Sequence, residues 1–219
     1  MGIPVILYGR SGSGKSRSLK NFAEDEILYV NVERKMLPFK NKFKYELATE
    51  DINTIVSQMK KMPCKIAVID DSTYFMVNQF MRRHRGKQGG SQFDLYNDIA
   101  DGIWTLFETV RTELPPDVIV YIIMHEETND YGNTKIRTIG KLLDDKVQPE
   151  GIVTICLRCV IDNKKHYFLT TSDGSDPTKS PEEMFEEDKI PNDLKYVDTK
   201  IREYYGLASS TVFEEKESK

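Results

Sequence analysis

The sequence lacks any long hydrophobic run, and none of its apolar stretches approaches the roughly 18 residues that a membrane-spanning helix needs. A strand-like apolar segment starts at Ile3, which leaves no room before it for a secretory signal peptide. We therefore expect a cytoplasmic protein that is not inserted in a membrane.

Cysteine is also scarce, with three residues at positions 64, 156 and 159. This odd, small number provides no disulfide framework. Cys156 and Cys159 have the C-x-x-C spacing, but they lie in a strand-like run, where side chains three positions apart point to opposite faces. They cannot clasp one metal ion together, and no second pair completes a zinc site. We interpret the cysteines as free and buried.

Neither sign of charge dominates, since the formal net charge is −4 and the sequence pI is about 5.6. This balance argues against a surface coated in nucleic acid but allows a local basic patch. The 219 residues are 39% apolar and 30% charged, enough for one globular domain with a sizeable core. We predict a single domain over residues 1–206 and a flexible polar tail over residues 207–219.

What the sequence does contain is a glycine loop, Gly9-Arg10-Ser11-Gly12-Ser13-Gly14-Lys15-Ser16. An apolar, β-branched segment precedes it, and residues 17–23, without Pro or Gly, predict a helix after it. A strand, a Gly-x4-Gly-Lys-Ser loop and a helix in this order are the full context of a P-loop. The motif therefore predicts that the protein binds a nucleoside triphosphate.

Each residue type in the loop suits phosphate binding. Glycines allow backbone N–H groups to approach phosphate oxygens without a Cβ in the way. The positive end of the following helix is expected to attract the same anion. Lys15 is predicted to reach the β- and γ-phosphates and so to act in catalysis, and the Ser16 hydroxyl to ligate Mg²⁺. We expect all eight residues, from Gly9 to Ser16, to contact ATP.

Strand-like segments alternate with amphipathic helical patterns along the rest of the chain. We predict strands over residues 26–33, 65–71 and 118–124, a hairpin over 151–171 and a last helix from 191 to 206. This order predicts an α/β fold with a mostly parallel sheet and flanking helices, plus a C-terminal β-hairpin and helix. Ligands gather at the carboxyl ends of the strands in such a sheet.

The predicted strand ends carry side chains that suit nucleotide hydrolysis. Asp70 is predicted to hold Mg²⁺ through water, together with Ser16. Glu33 is the first candidate to orient the attacking water, and Asp71 is the competing base. His125 closes the strand after these carboxylates, either as a sensor of the γ-phosphate or as an ordinary strand-ending histidine.

The order of these motifs resembles that of a RecA-type ATPase core, and we expect a RecA-like P-loop domain. In that core a catalytic Glu follows the second strand, and a polar sensor, usually Gln, follows the strand after the Walker B Asp. Glu33 and His125 stand in those places. More closely, the chain resembles bacteriophage P-loop nucleotide-binding proteins labelled AAA-family ATPases, some of which are similar to RecA-like single-strand annealing proteins. The resemblance covers nearly the whole chain, in residues 8–16, 31–39, 139–144, 180–185 and 190–206.

In a RecA-like core, the segments after the Walker B strand and after the sensor strand line the DNA channel. Here these segments hold a set of cations among glycines: Arg82, Arg83, Arg85, Lys87, Lys135 and Arg137. Cations contact phosphates, and the nearby Tyr131 can stack on a base. Two alternatives stay open. In the first, the cations at positions 82–87 form a solvated helix end, where positive charge suits the helix dipole. In the second, Lys135 or Arg137 contacts the nucleotide bound by a neighbouring subunit, as an arginine finger does.

The resemblance therefore implies a Mg²⁺-dependent ATPase of a phage, acting in the host cytoplasm on single-stranded DNA during recombination or strand annealing. It also implies a homo-oligomer and a phage single-strand-binding protein as a further partner. Two other functions stay open. One is a nucleotide or nucleoside kinase that uses the 82–85 cations as a phosphate clamp, and the other is an ATP-gated assembly factor in replication.

Overall fold

A computed structural model of the chain describes residues 1–40, 42–140 and 142–210. The polar tail predicted over residues 207–219 lies outside these ranges from position 211 onward. Within the described residues, no helix combines the length and the apolar character that crossing a membrane requires.

The described residues form one nine-stranded sheet. Its strands are β1 (Ile3–Gly9), β2 (Ile27–Asn31), β3 (Tyr45–Leu47), β4 (Ile66–Asp70), β5 (Ile119–Thr128), β6 (Thr134–Ile136), β7 (Ile155–Asp162), β8 (Lys165–Leu169) and β9 (Lys189–Pro191). The order is β3-β2-β4-β5-β1-β7-β8-β9, and β6 pairs with the end of β5. The strands from β3 to β7 in this order are parallel, whereas β6, β8 and β9 are antiparallel. The mostly parallel α/β sheet with a C-terminal hairpin is confirmed.

Helices cover both faces of the sheet. They are a 3₁₀ helix (Ser16–Asn21), α1 (Ile52–Met59), α2 (Thr73–Arg83), α3 (Gly90–Glu113), a π-helical turn (Leu143–Val147), α4 (Pro149–Ile152) and α5 (Leu194–Tyr205). The α1–α3 helices pack into the hydrophobic core on one face, and the 3₁₀ helix and α5 pack into the core on the other.

The central strand β1 is buried on both of these faces. Ile6 and Tyr8 belong to the first core, and Val5 and Leu7 belong to the second. This burial explains the unbroken apolar run that predicted the strand. The cysteines follow the same alternation, because Cys156 and Cys159 lie in opposite cores as free, buried residues, as predicted, whereas Cys64 is only partly buried.

The segment after the glycine loop differs from its prediction. It is a six-residue 3₁₀ helix rather than a longer α-helix, because the Ser18 hydroxyl donates to the Lys15 carbonyl (2.6 Å) and the chain becomes extended at Phe22. Such a side-chain bond competes with regular helical bonding. A helix this short contributes little macrodipole, so phosphate binding here depends on the loop and its side chains.

The end of β5 also differs from its prediction. The strand predicted over residues 118–124 does not stop at His125 but continues to Thr128 and turns back as β6. The last four residues of the strand become progressively exposed. The apolar pattern of the sequence therefore stops at Met124, before the strand itself does. The short β9 strand was not predicted, and it ends at Pro191, so that the last helix begins at Leu194 and not at 191.

A buried ion pair fixes α5 against the sheet. Arg202 Nε donates to Asp198 Oδ2 (2.7 Å), and Tyr121 of β5 donates its hydroxyl to Asp198 Oδ1 (3.0 Å). Burial raises the pKa of Asp198, and the charge of Arg202 opposes that rise. Arg202 also donates to the carbonyls of Asp117 and Lys65, which tie the helix to the chain segments before β5 and β4.

We expect Arg202→Ala to lower the free energy of unfolding by about 3–5 kcal/mol, because it leaves the Asp198 carboxylate buried without its partner. Lys200→Ala is the matched control on the same helix, since its pair with Glu203 is partly exposed and long (3.5 Å), and it should cost less than about 1 kcal/mol. Urea unfolding at neutral pH measures both. Equal losses would mean that the pair does not hold α5 in place.

Candidate functional site

The glycine loop follows β1 at the point where the chain connections diverge. In the strand order, the connection after β1 leads to β2, towards one edge of the sheet. The connection after β5 passes β1 and leads to β7, towards the other edge. In α/β sheets, ligands bind in the crevice beyond the strand ends at such a point. The register places Gly9 beside His125 of β5 and Cys159 of β7.

Gly14 is held at a close contact that excludes a side chain. Its φ is +107°, and a Cβ at this position would lie 2.7 Å from Nδ1 of His166 and 3.0 Å from Oδ1 of Asn192. His166 Nδ1 in turn lies 2.8 Å from the carbonyl oxygen of Ser13, which can only accept a hydrogen bond, so Nδ1 donates. The β8 strand therefore clamps the loop from one side.

Lys15 is folded against its own loop. Its Nζ donates to the carbonyls of Gly9 and Arg10, at 2.8 Å each, and the residue is only 6% exposed. Burial lowers the pKa of this ammonium, and the nearby Asp71 and Asp70 carboxylates oppose the shift. The charge is thus held at the base of the loop.

Asp70 lies behind Ser16 at the end of β4. The carboxylate accepts from the Tyr29 hydroxyl (3.1 Å), from the Asp71 backbone N–H (3.0 Å) and from the Ser16 hydroxyl. Burial raises its pKa, and the Asp71 charge adds to the rise.

A hydroxyl oxygen beside a carboxylate is the hard oxygen donor set that Mg²⁺ prefers, with water and phosphate completing the octahedron. The pair of Ser16 and Asp70 therefore fits a Mg²⁺ ion shared with a bound anion. In residues 1–40, 42–140 and 142–210, no cluster of three or more His, Cys, Asp or Glu side chains could hold a metal ion by itself.

Asp71 forms the opposite wall of the site. It has a left-handed backbone (φ +58°), and its carboxylate lies 2.7 Å from Lys35 Nζ and 3.2 Å from His125 Nε2. Burial would raise the pKa of Asp71, but the hydrogen bonds from His125 and Lys35 outweigh it and lower the pKa to about 2. The carboxylate is thus a fixed anion at physiological pH.

His125 is held in place by the start of α2. Its backbone N–H donates to the Thr73 hydroxyl (2.9 Å), and its ring meets the Tyr74 ring edge-on at 5.7 Å. The imidazole is mostly buried, and Asp71 fixes its orientation through Nε2. The helix that follows β4 and the strand β5 therefore build one rigid corner.

These groups enclose the glycine-loop cavity, which has a volume of about 360 Å³ and is lined by Lys15, Ser16, Lys35, Asp71, His125 and His166 among others. Arg17 adds a third cation to its wall, and Asp71 is the one carboxylate among the described lining residues. An excess of cations around backbone amides selects an anion. The lining of the cavity therefore suits an anionic ligand.

The predicted loop residues do not all face this cavity. Ser11, Gly12, Gly14, Lys15 and Ser16 line it. The Arg10 side chain instead lies 3.2 Å from Glu126 and is mostly exposed, and the Gly9 and Ser13 carbonyls hold Lys15 and His166.

Glu33, the first candidate to orient water, is not among the described residues that line the cavity. Its carboxylate accepts from Asn78 Nδ2 (2.8 Å) on α2, and the same amide donates to Glu50 (2.9 Å). Asp71, the competing candidate, faces the cavity together with His125. Of the two carboxylates that the sequence left as alternatives, Asp71 lines the cavity, and Glu33 is bonded to α2 instead.

The structure also divides the cations that were predicted to contact DNA. Arg82 and Arg83 belong to the last turn of α2 rather than to a loop, and they form ion pairs with Glu50 and Asp98. Lys135 lies on β6 and pairs with Glu127 (3.0 Å) and Asp144 (3.2 Å). Among the described residues, no ion pair involves the remaining three, Arg85, Lys87 and Arg137.

Three residues of the site were missed by sequence reasoning: Arg17, Lys35 and His166. Lys35 stands two residues after Glu33 in a basic stretch, so a closer reading of that segment could have proposed it. His166 lies 153 positions from Ser13, and no local spacing relates the two. Only the pairing of β7 with β1 brings the hairpin against the loop.

No family model matches the chain, and no curated protein is significantly similar to it in sequence.

We expect Gly14→Ala to destabilise the protein by about 3 kcal/mol or more, because it combines an unfavourable φ with a clash against His166 and Asn192. Gly12→Ala is the matched control. Its φ is also positive (+79°), but a Cβ there meets nothing within 4 Å, so it should cost only about 1–2 kcal/mol. Chemical denaturation compares them, and a larger loss for Gly12→Ala would contradict the clamp.

Proposed function

We propose that the chain is a Mg²⁺-dependent P-loop ATPase that binds a nucleoside triphosphate in the glycine-loop cavity and hydrolyses it. The observation that carries this proposal is the pairing of two walls around one cation-rich cavity. Lys15 and Ser16 form one wall, and Asp71, held by His125 and Lys35, forms the other. The first wall suits binding of phosphates, and the second suits positioning of a water molecule at their end.

Phosphate binding follows from the loop. Backbone N–H groups of the loop residues that line the cavity can surround the phosphate oxygens, and the Lys15 ammonium attracts the same oxygens more strongly in a buried, low-dielectric site than in water. Ser16 and Asp70 would hold Mg²⁺, which neutralises charge that develops on the phosphates when it is bound.

Asp71 is assigned to the water. The attacking oxygen forms a bond to the γ-phosphorus while the bond from that phosphorus to the bridging oxygen breaks, and ADP leaves with the electron pair. A carboxylate with a pKa of about 2 is a weak base. Asp71 therefore orients the water by accepting its hydrogen bond, and the proton passes to the released phosphate.

Lys35 and His125 support this step from behind. Both donate to Asp71, which fixes its two oxygens, and both line the cavity where negative charge collects. Positioned cations near a transferring phosphoryl group stabilise its transition state. In this arrangement His125 acts through Asp71.

We expect Asp71→Asn to lower kcat for ATP hydrolysis at least about 100-fold with little change in KM, because the water loses its anionic acceptor while the phosphate loop is intact. Asn also tolerates the left-handed backbone at this position. Glu33→Gln should lower kcat less than about tenfold. Phosphate release at saturating ATP and Mg²⁺ measures both rates.

Asp101→Asn, on the exposed side of α3, is the matched control and should hydrolyse ATP at the wild-type rate. The reverse result would contradict this assignment. If Glu33→Gln lowers kcat at least about 100-fold and Asp71→Asn retains the wild-type rate, Glu33 orients the water. If no variant and no wild-type protein hydrolyses ATP, the proposal of an ATPase fails.

Single-stranded DNA is the second element of the proposed function, as an activator of hydrolysis in recombination or strand annealing. Of the six cations predicted to contact DNA, Arg85, Lys87 and Arg137 have no ion pair within the described ranges, and Tyr131 is 91% exposed at the tip of the β5–β6 turn. Cations without ion pairs and an exposed aromatic ring favour a flexible, negatively charged strand with stacking bases. Arg85 and Lys87 follow α2, Tyr131 lies in the turn between β5 and β6, and Arg137 follows β6.

We expect the triple variant Arg85→Ala, Lys87→Ala, Arg137→Ala to weaken oligo(dT) binding at least tenfold and to reduce the salt dependence of log K by about 2, since each lost phosphate contact contributes about 0.7. Fluorescence anisotropy over a range of salt concentrations measures this.

The double variant Arg82→Ala, Arg83→Ala is the matched control for this DNA test and should change binding less, because both residues are already paired. DNA that neither binds at low salt nor raises the ATPase rate would remove DNA from the proposal and leave the ATPase intact.

A further inference from the structure

A second cavity adjoins the glycine-loop cavity on the side away from Asp71. This Asn192 cavity has a volume of about 370 Å³ and is formed by Arg17 and Asn21 of the 3₁₀ helix, His166 and Tyr167 of β8, and Pro191 and Asn192 at the end of β9. Arg17 and His166 line both cavities, so the two spaces adjoin at these side chains. A ligand that passes them from the first cavity would enter the second.

The orientation of a bound nucleotide follows from the two ends of the glycine-loop cavity. Its hydrolytic groups, Asp71 and His125, stand at one end, so the terminal phosphate must face them. Arg17 and His166 are shared with the Asn192 cavity, whereas Asp71 and His125 line the first cavity alone. With its terminal phosphate at Asp71, the same molecule would carry its nucleoside towards the shared wall and the Asn192 cavity.

The Asn192 side chain carries a hydrogen-bond donor that nothing in the described chain satisfies. The residue is 5% exposed, and its Nδ2 has no partner among the described residues. Arg17 can only donate and its NH1 lies 3.4 Å from Oδ1, which identifies Oδ1 as the acceptor and Nδ2 as the donor without a partner. That bond is long, so the amide is weakly restrained and can turn towards a ligand.

An unsatisfied buried donor costs free energy unless a ligand completes it. The matching group is a hydrogen-bond acceptor on the edge of a nucleobase, such as a ring nitrogen. The Arg17 guanidinium is planar and can stack on the face of the same base.

The charge of the Asn192 cavity also fits a nucleotide. Its rim carries Lys20, Lys164 and Lys165, and its one described carboxylate, Asp193, is already engaged. Asp193 caps α5 by accepting from the backbone N–H groups of residues 195 and 196, and it also accepts from Asn21. The cavity thus presents free cations and one free neutral donor, which suits a polar ring attached to phosphate.

We propose that the Asn192 cavity binds the nucleoside half of the triphosphate, with Asn192 Nδ2 as the donor that recognises the base and Arg17 as the group that covers its face. This inference rests on the proposed nucleotide site. It adds that the protein recognises the nucleoside as well as the phosphates, through residues 17, 166, 167 and 192.

The test compares ATP with inorganic tripolyphosphate, which carries the phosphates without a nucleoside. Isothermal titration calorimetry in Mg²⁺ should give an ATP Kd for the wild-type protein at least tenfold lower than that for tripolyphosphate. Asn192→Ala should weaken ATP binding about three- to tenfold and leave tripolyphosphate binding unchanged within twofold. Asn53→Ala, an exposed amide on α1, is the matched control and should change neither.

The outcomes separate the two proposals. Wild-type protein that binds tripolyphosphate as tightly as ATP would overturn nucleoside recognition and leave the phosphate site standing. An ATP preference that Asn192→Ala leaves undiminished would overturn the assignment to this cavity. Failure to bind either compound would overturn the nucleotide site and the inference with it.

A second measurement uses the wild-type protein, so it does not depend on the folding of a variant. Photolabelling with 8-azido-ATP, followed by mass spectrometry of the peptides, should place the label within residues 163–167 or 191–193, and excess ATP should suppress it. Specific label confined to other peptides would overturn the proposal.

Discussion

The parallel pairing of β1 with β5 and β7 is the constraint on which the site depends. Parallel strands align their carboxyl ends at one edge of the sheet, so the register that buries β1 on both faces also sets Gly9 beside His125. The same edge receives Asp70 from β4. A shift of one residue would move the apolar side chains of β1 between faces, so core packing fixes the geometry of the site.

Two networks show how the chain uses buried charge in different ways. Asp198 and Arg202 are both almost fully buried, and their bonds with Tyr121, Asp117 and Lys65 hold α5 to the sheet. Asp71 has equally close partners, but it faces a cavity and is surrounded by more cations than it neutralises. The first network is closed and structural, whereas the second leaves positive charge available for an anion.

The sequence by itself determined the local features of the protein. Short-range chemistry sets the glycine loop, the apolar strand that ends at Asp70, the C-terminal hairpin, and the helix capped by Asp193 and ended by Gly206. Turn residues, caps and buried-strand patterns act over a few positions, so they can be recognised without the fold. The strand order follows only in outline, as a mostly parallel sheet.

Only the tertiary structure decided which of these features meet. Glu33 accepts a hydrogen bond from Asn78 of α2, whereas Asp71 lines the cavity. The first residue of α2, Thr73, also holds His125 in place beside Asp71. The tertiary structure brought His166 to the loop across 153 residues through strand pairing. It also paired Arg82 and Arg83 with carboxylates from other helices and segments. Such contacts depend on packing between distant segments, which no local pattern encodes.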